Sequence, residues 1–195
     1  MEPHQVATMA VYERDALTLQ KKYLDLQRYR LGDIDRFLES VPGKRILELG
    51  AGPGVDGALM QKRAYKVTCS DLSESMLALC AKQGLPTLRL DLENLQLPKE
   101  SYDGIYAAAC FLHVPRQKLA TSFERVAEAL APKGAFFLSL KQGTGERYDS
   151  TGRFFTYWDE EEVFPLLNKQ FTIIHNYQQH EQGYEPWIKI FCEKR

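Results

Sequence analysis

Residues 46–54 read ILELGAGPG: an apolar run that closes on an acid, then Gly50, Gly52 and Gly54 at alternate positions, then helix-forming sequence. Glycines spaced this way mark a turn that leaves a buried strand and enters a helix. Glycine adopts backbone angles other residues avoid, and it lets a ligand approach the main chain. Open α/β sheets bind ligands at turns of this kind, at the carboxyl end of a strand. The chain beyond it alternates in the same sense. Residues 44–49, 65–70, 87–90, 102–110 and 135–140 read as strands, and 55–63, 73–83 and 116–130 as helices, with Pro132-Lys133-Gly134 as a turn. The near-continuous apolar run 102–110 is the pattern of a strand buried on both faces. Five strands with intervening helices imply a parallel sheet covered on both sides.

The flanks differ. Residues 11–31 read as a helix, with Leu17, Leu19, Leu24, Leu26 and Leu31 among charged positions. Asp33 is placed to cap a second short helix carrying Ile34, Phe37 and Leu38, before Pro42-Gly43 breaks the chain. Residues 1–43 thus form a helical cap. In the tail, 142–158 is polar, Gly-containing and aromatic, a lid-like loop or small hairpin. Residues 159–168 read as a helix with an acidic start, and 170–175 and 187–192 as strands joined by the polar stretch 176–186. Two late strands without a helix between them can pair antiparallel. Residues 1–195 are expected to be one domain.

Charge narrows the partners. Lys plus Arg number 25 and Asp plus Glu 26. Residues 1–43 hold six basic and seven acidic residues. A protein that grips nucleic acid through phosphates carries a basic excess, so nucleic acid is not the expected partner. The four cysteines, Cys69, Cys80, Cys110 and Cys192, have no zinc-like spacing and sit in apolar runs. They read as reduced, buried thiols of a cytoplasmic protein, with no metal site. The N-terminus lacks a secretory pattern, and no apolar stretch reaches the ~18 residues a membrane span needs.

Three strand ends carry candidate chemistry. Glu48 can engage a cationic amine near the glycine turn. Asp71, in TCSDLS, ends the second strand and can accept hydrogen bonds from both hydroxyls of a ribose, or cap the following helix. Asp91 and Leu92, in RLDLENLQLP, can hold an adenine by its exocyclic amine and by packing, or form a surface turn. A glycine turn, an acid and an acid at successive strand ends outline an adenosine site together. The GxGxG spacing and the missing second half-domain argue against a nicotinamide oxidoreductase.

ILELGAGPG, SDLS, LDLENLQLP, YDGIYAAACFLHVP and LAPKGAFFLSLKQG resemble, in order and at normal spacing, the successive motifs of class I S-adenosylmethionine-dependent methyltransferases. The likeness covers residues 44–141, and is closest to small bacterial methyltransferases of the ubiquinone-biosynthesis and tellurite-resistance type. It implies a Rossmann-like, seven-stranded, mostly parallel sheet with an antiparallel last strand and helices on both faces. It also implies S-adenosyl-L-methionine as donor and S-adenosyl-L-homocysteine as product. By that likeness Glu48, Gly50, Ala51 and Gly52 surround the methionine part. Asp71 and Leu72 take the ribose and adenine face with Met76 packing nearby, and Asp91 and Leu92 hold the adenine. Ala107 and Ala108 line the floor beside the sulfonium, and Tyr12 and Tyr23 close over the cofactor.

The acceptor side is less specified. His113, after the fourth strand, can orient or deprotonate an acceptor, or pack under the next helix. Cys110 reads as core. Arg147, Arg153 and Tyr157, in a segment that also holds Phe154, Phe155 and Trp158, suit an anionic or aromatic acceptor. The same aromatics also suit a hairpin packed on the sheet edge. The expected activity is methyl transfer to a small molecule by a monomer or homodimer. A protein or RNA methyltransferase and a non-catalytic adenosyl-binding protein are the alternatives.

Overall fold

The computed structural model describes residues 1–180 and 185–195. In chain order the elements are α1 (Pro3–Leu26), α2 (Leu31–Ser40), β1 (Arg45–Leu49), α3 (Val55–Lys62), β2 (Lys66–Asp71), α4 (Glu74–Lys82), β3 (Thr87–Arg89) and β4 (Tyr102–Ala107). They continue with α5 (Arg116–Ala129), β5 (Leu130–Gln142), β6 (Glu146–Tyr148), β7 (Phe154–Trp158), α6 (Glu160–Leu167), β8 (Phe171–Gln179) and β9 (Trp187–Lys194). Short 3-10 turns at Leu92–Asn94 and Phe111–His113 follow β3 and β4.

The sheet runs β3-β2-β1-β4-β5, parallel throughout, and continues through β9, antiparallel to both β5 and β8. That is the expected seven-stranded order with its antiparallel last strand. Two further strands are added: β7 pairs parallel with the end of β5 at Lys141 and Gln142, and β6 pairs antiparallel with β7. Side chains of a strand alternate between faces, so each strand feeds two cores. Leu47, Leu49, Ile105 and Ala107 join α5 and α6 on one side. Ile46, Val67, Cys69 and Tyr106 join α2 and α3 on the other. The same alternation puts Glu48 on the α3 face.

Several expectations shift. The turn at Pro132-Lys133-Gly134 lies inside β5 as an irregularity: the β4 partner jumps from Leu130 to Ala135, and Lys133 has φ +61°. Strand β4 stops at Ala107 rather than Cys110, because Ala109 turns left-handed at φ +55° and donates its N–H to Ser139 Oγ. Residues 142–158 are not a lid-like loop: β6 and β7 form a hairpin whose Phe154–Trp158 strand is buried throughout. Helix α1 begins at Pro3, not near residue 11, with the Glu2 N–H donating to Gln5 Oε1 at 2.8 Å. Its buried residues are Gln5, Thr8, Val11 and Ala16, whereas Leu17 and Leu24 are exposed. The polar stretch 176–186 is strand as far as Gln179, and its residues 181–184 lie outside the described residues.

Asp33 does not cap α2. It sits in the first turn, buried, and bonds the Lys189 ammonium and the Tyr177 hydroxyl across the molecule. This cluster ties the N-terminal helices to β8 and β9. Breaking a buried pair by removing one partner leaves an uncompensated charge in a low-dielectric site. Asp33→Ala is therefore expected to cost about 3 kcal/mol or more in urea unfolding. A loss under about 1 kcal/mol would show that Lys189 finds water or another partner.

Candidate functional site

The glycine turn is built as its spacing requires. Gly50 and Gly52 have φ of +57° and +54°. A Cβ on Gly50 would lie 2.3 Å from the Cys110 Cβ, so that position is closed by packing. A Cβ on Gly52 would meet only the Tyr23 ring, at 3.5 Å, so the turn is open there on the side that Tyr23 covers. Asp71 fastens the turn to the next strand end. Its Oδ2 accepts the Gly52 N–H at 2.9 Å and its Oδ1 the Ser73 N–H at 2.9 Å. Ser73, not Asp71, caps α4, accepting from the Met76 N–H. Burial pushes the Asp71 carboxyl up, against the pull of the Ser73 and Gly52 amides.

Around this turn lies a cavity of about 150 Å³. Of the residues singled out in the sequence, Glu48, Gly50, Ala51, Gly52, Asp71, Leu72, Asp91, Leu92, Ala108, Tyr12 and Tyr23 line it. Met76 and Ala107 do not. Met76 is fully buried against Ala16 and Leu79 between α4 and α1. Ala107 points into the α5–α6 core because it shares the face of Ile105, and Ala109 stands in the wall instead. Sequence reasoning missed Arg30, Asp56, Gln5 and Thr8, all in the lining. Gln5 and Thr8 roof the site from α1. The Gln5 Nε2 donates to Asp91 Oδ1 at 2.9 Å, and Thr8 Oγ1 accepts the Phe154 N–H at 3.0 Å. His4 and Lys118 both reach Glu93 and clasp the end of α1 to the Asp91 turn.

The cavity is acidic. Glu48, Asp56, Asp71, Asp91 and Glu93 face one guanidinium, Arg30. Burial and the neighbouring Asp56 push the Glu48 carboxyl well up. Burial also raises Asp56, partly offset by Arg30. Arg30 Nε approaches Asp56 Oδ2 at 3.1 Å without the alignment of a hydrogen bond, and Arg30 Nε and Asp56 Oδ1 are both buried with no hydrogen-bond partner among the described residues. Buried polar atoms are normally paired. Unmet donor and acceptor atoms side by side, beside an open glycine turn, fit the carboxylate and ammonium of an amino acid. The acid at β2 and the apolar-flanked acid after β3 fit a nucleoside. The residues present therefore suit S-adenosylmethionine.

A second cavity, of about 270 Å³, adjoins the first. Tyr12, Tyr23, Arg30, Ala108, Ala109 and His113 line both. His113 is fixed at this shared wall. Its Nδ1 donates to the Phe154 carbonyl, which can only accept. Its Nε2 is therefore unprotonated and accepts the Tyr12 O–H at 2.8 Å. Burial holds His113 down to about 4, with the Phe154 carbonyl opposing and the Arg153 and Lys141 charges adding to it. Arg153 lines the second cavity and is held by Asp149, Nη2 to Oδ2 at 2.7 Å. Arg147 and Tyr157 are not brought to either cavity. Arg147 lies 3.7 Å over the Tyr157 ring, and both bond Glu185, which does line the second cavity.

Residues 46–134 match the family described as a methyltransferase domain. Over 118 residues the chain is 31% identical to a ubiquinone biosynthesis O-methyltransferase of Idiomarina loihiensis, covering 56% of this chain and 47% of that protein. The chain thus spans about half the length of the curated relative it matches. A crystal structure of 1,6-didemethyltoxoflavin-N1-methyltransferase from Burkholderia thailandensis, with 1,6-didemethyltoxoflavin and S-adenosylhomocysteine bound, superposes with a TM-score of 0.75. It shares 20% identity and covers 100% of this chain and 91% of that one. The [4+2]-cyclase SpnF superposes with a TM-score of 0.65 at 16% identity, covering 83% of this chain and 79% of that one. At these identities the structural likeness is one of fold. The fold is that of the class I methyltransferases, with the glycine turn at the end of β1.

The His113 environment has a measurable consequence. A histidine near 6.5 when unfolded and about 4 when folded takes up its proton in the unfolded chain first. Its contribution is complete above pH 6.5 and is lost as pH falls from 6.5 to 4, at ~1.4 kcal/mol per pH unit. Between pH 7 and pH 5, wild type should lose about 2 kcal/mol more unfolding free energy than His113→Gln. Equal losses would show that His113 is open to water.

Proposed function

We propose that this protein transfers a methyl group from S-adenosylmethionine to a small-molecule acceptor, leaving S-adenosylhomocysteine. The wall common to the two cavities carries this reading, because a donor in the first and an acceptor in the second meet there. Asp71 takes the ribose hydroxyls on the lone pairs its backbone bonds leave free. Asp91, with Leu90 and Leu92, takes the adenine. Glu48 and Asp56 face the ammonium, and Arg30 the carboxylate.

The sulfonium supplies an activated methyl, so the hard chemistry comes with the cofactor. The chain aligns donor and acceptor and keeps water out. Helix α1 does this from above through Gln5, Thr8 and Tyr12, and Ala108 and Ala109 leave the passage between the cavities free of bulk. His113 Nε2 is a hydrogen-bond acceptor at this passage. With that lone pair on the Tyr12 O–H and its own affinity for protons held down to about 4, His113 fixes Tyr12 at the passage rather than removing a strongly held proton. The modest second cavity between α1 and β7 suits a metabolite, and no basic arm favours RNA. Among the described residues no helix is long and apolar enough to cross a membrane.

Methyl-labelled S-adenosylmethionine incubated with the protein and a metabolite extract should put label into a low-molecular-weight product. Label appearing only in added protein or RNA would contradict the small-molecule acceptor. Asp71→Ala removes an ionised acceptor of two hydrogen bonds, each worth roughly 1.5–3 kcal/mol. Its affinity for S-adenosylhomocysteine should fall at least tenfold in calorimetry, with circular dichroism unchanged. An unaltered affinity would remove the ribose role from Asp71.

A further inference from the structure

The two adjoining cavities are lined by side chains of opposite kind, acids in the first and cations in the second. Five carboxylates and one guanidinium face the first. In the second, among the described residues, Lys22, Arg30, Lys141, Arg153 and Lys189 face one carboxylate, Glu185. Two of these cations have their own acids behind the wall: Asp149 holds Arg153 and Asp33 holds Lys189, and neither acid reaches the lining. Arg153 spends Nε and Nη2 on Asp149, and its Nη1 makes no hydrogen bond among the described residues. Glu185 is committed to Lys141, Arg147 and the Tyr157 hydroxyl, which hold its carboxyl below the usual range against the effect of burial.

The shape is set by rings. Phe155 is buried, with the Lys141 ammonium 4.0 Å from its centroid, the Arg153 guanidinium at 5.2 Å and the His113 ring at 4.7 Å. Tyr12 and Trp187 stand in the same lining. Aromatic walls take flat molecules through face and edge contacts. A volume of about 270 Å³ lies at the low end of ligand sites, enough for one or two rings.

Among the described residues the lining also holds no free strong base. Glu185 is occupied by three donors, and His113 Nε2 is buried and bonded to Tyr12. An acceptor that enters already ionised needs none. We propose that the second cavity binds the methyl acceptor as a small aromatic anion, its charge against Arg153 and Lys141 and its ionised oxygen toward the Tyr12–His113 wall. In the transfer, the anionic oxygen forms a bond to the methyl carbon. The carbon–sulfur bond breaks, and its electron pair stays on sulfur. One negative and one positive charge are consumed and no proton moves. This assignment rests on the methyltransferase reading above, and it adds the charge and shape of the substrate.

The test is a ranking of simple probes by ligand-observed NMR, on the free protein and on protein saturated with S-adenosylhomocysteine. 1-Naphthoate should bind at least tenfold tighter than 1-naphthamide, and tighter than cyclohexanecarboxylate. Arg153→Gln should weaken 1-naphthoate about tenfold, with S-adenosylhomocysteine affinity within about twofold of wild type. Equal binding of acid and amide would overturn the proposal, as would 1-naphthylmethylammonium binding tightest. The free-protein titration keeps the two readings apart. Failure of S-adenosylhomocysteine to bind would contradict the cofactor assignment, while the ranking on free protein would still decide the charge of the second cavity.

Discussion

Both oxygens of Asp71 are spent on backbone amides, one on the glycine turn after β1 and one on the start of α4. A buried carboxylate is stable only where such donors surround it. This one holds the ends of β1 and β2 at a fixed separation. The remaining features of the first cavity depend on that spacing. Glu48 stands under α3 because its strand ends at the turn, and Tyr23 meets Gly52 because the turn presents its bare Cα. The Asp91 turn follows β3, whose register with β2 runs through Asp71↔Arg89. Gly50 completes the arrangement from behind, where only a residue without Cβ fits against Cys110.

Charge organises the rest. An acidic cavity and a basic cavity share one wall, with Arg30 in both. Behind them runs a buried chain of opposite charges, from Glu48 and Asp56 through Arg30, and from Asp33 to Lys189. Buried ion pairs give little net stability, and their retention suits specificity of arrangement. Here they orient the N-terminal helices, β9 and the glycine turn about the same two cavities.

The sheet was legible because its strands are buried on both faces and read as apolar runs, as in β1 and β4. Glu48, Asp71 and Asp91 in the first cavity were legible because each stands at or just past the carboxyl end of a strand. What escaped the sequence lay where burial and polarity part company. Helix α1 covers a polar cavity, so Gln5 and Thr8 are its buried residues while Leu17 and Leu24 face outward, and an apolar periodicity points to the wrong face. Its true start did carry a signal: Pro3 in the first turn, between Glu2 and Gln5, is a capping pattern. Arg30 and Asp56 belong to no strand end and meet only in the folded chain. Pro132-Lys133-Gly134 has the composition of a turn, but the strand resumes its pairing beyond it. Arg147 and Arg153 belong to one hairpin and look alike in sequence, yet Arg147 is spent on Glu185 and stays out of the lining, while Arg153 lines the second cavity.

In the proposed transfer the methyl passes through the wall where the acidic and basic cavities meet. A crystal structure with S-adenosylhomocysteine bound locates that passage. The adenosine is expected between Asp71 and Asp91 and the amino acid end at Arg30, with the thioether sulfur facing Tyr12, Ala108, Ala109 and His113. A sulfur that faces away from that wall, or a ligand lodged in the second cavity, would contradict it.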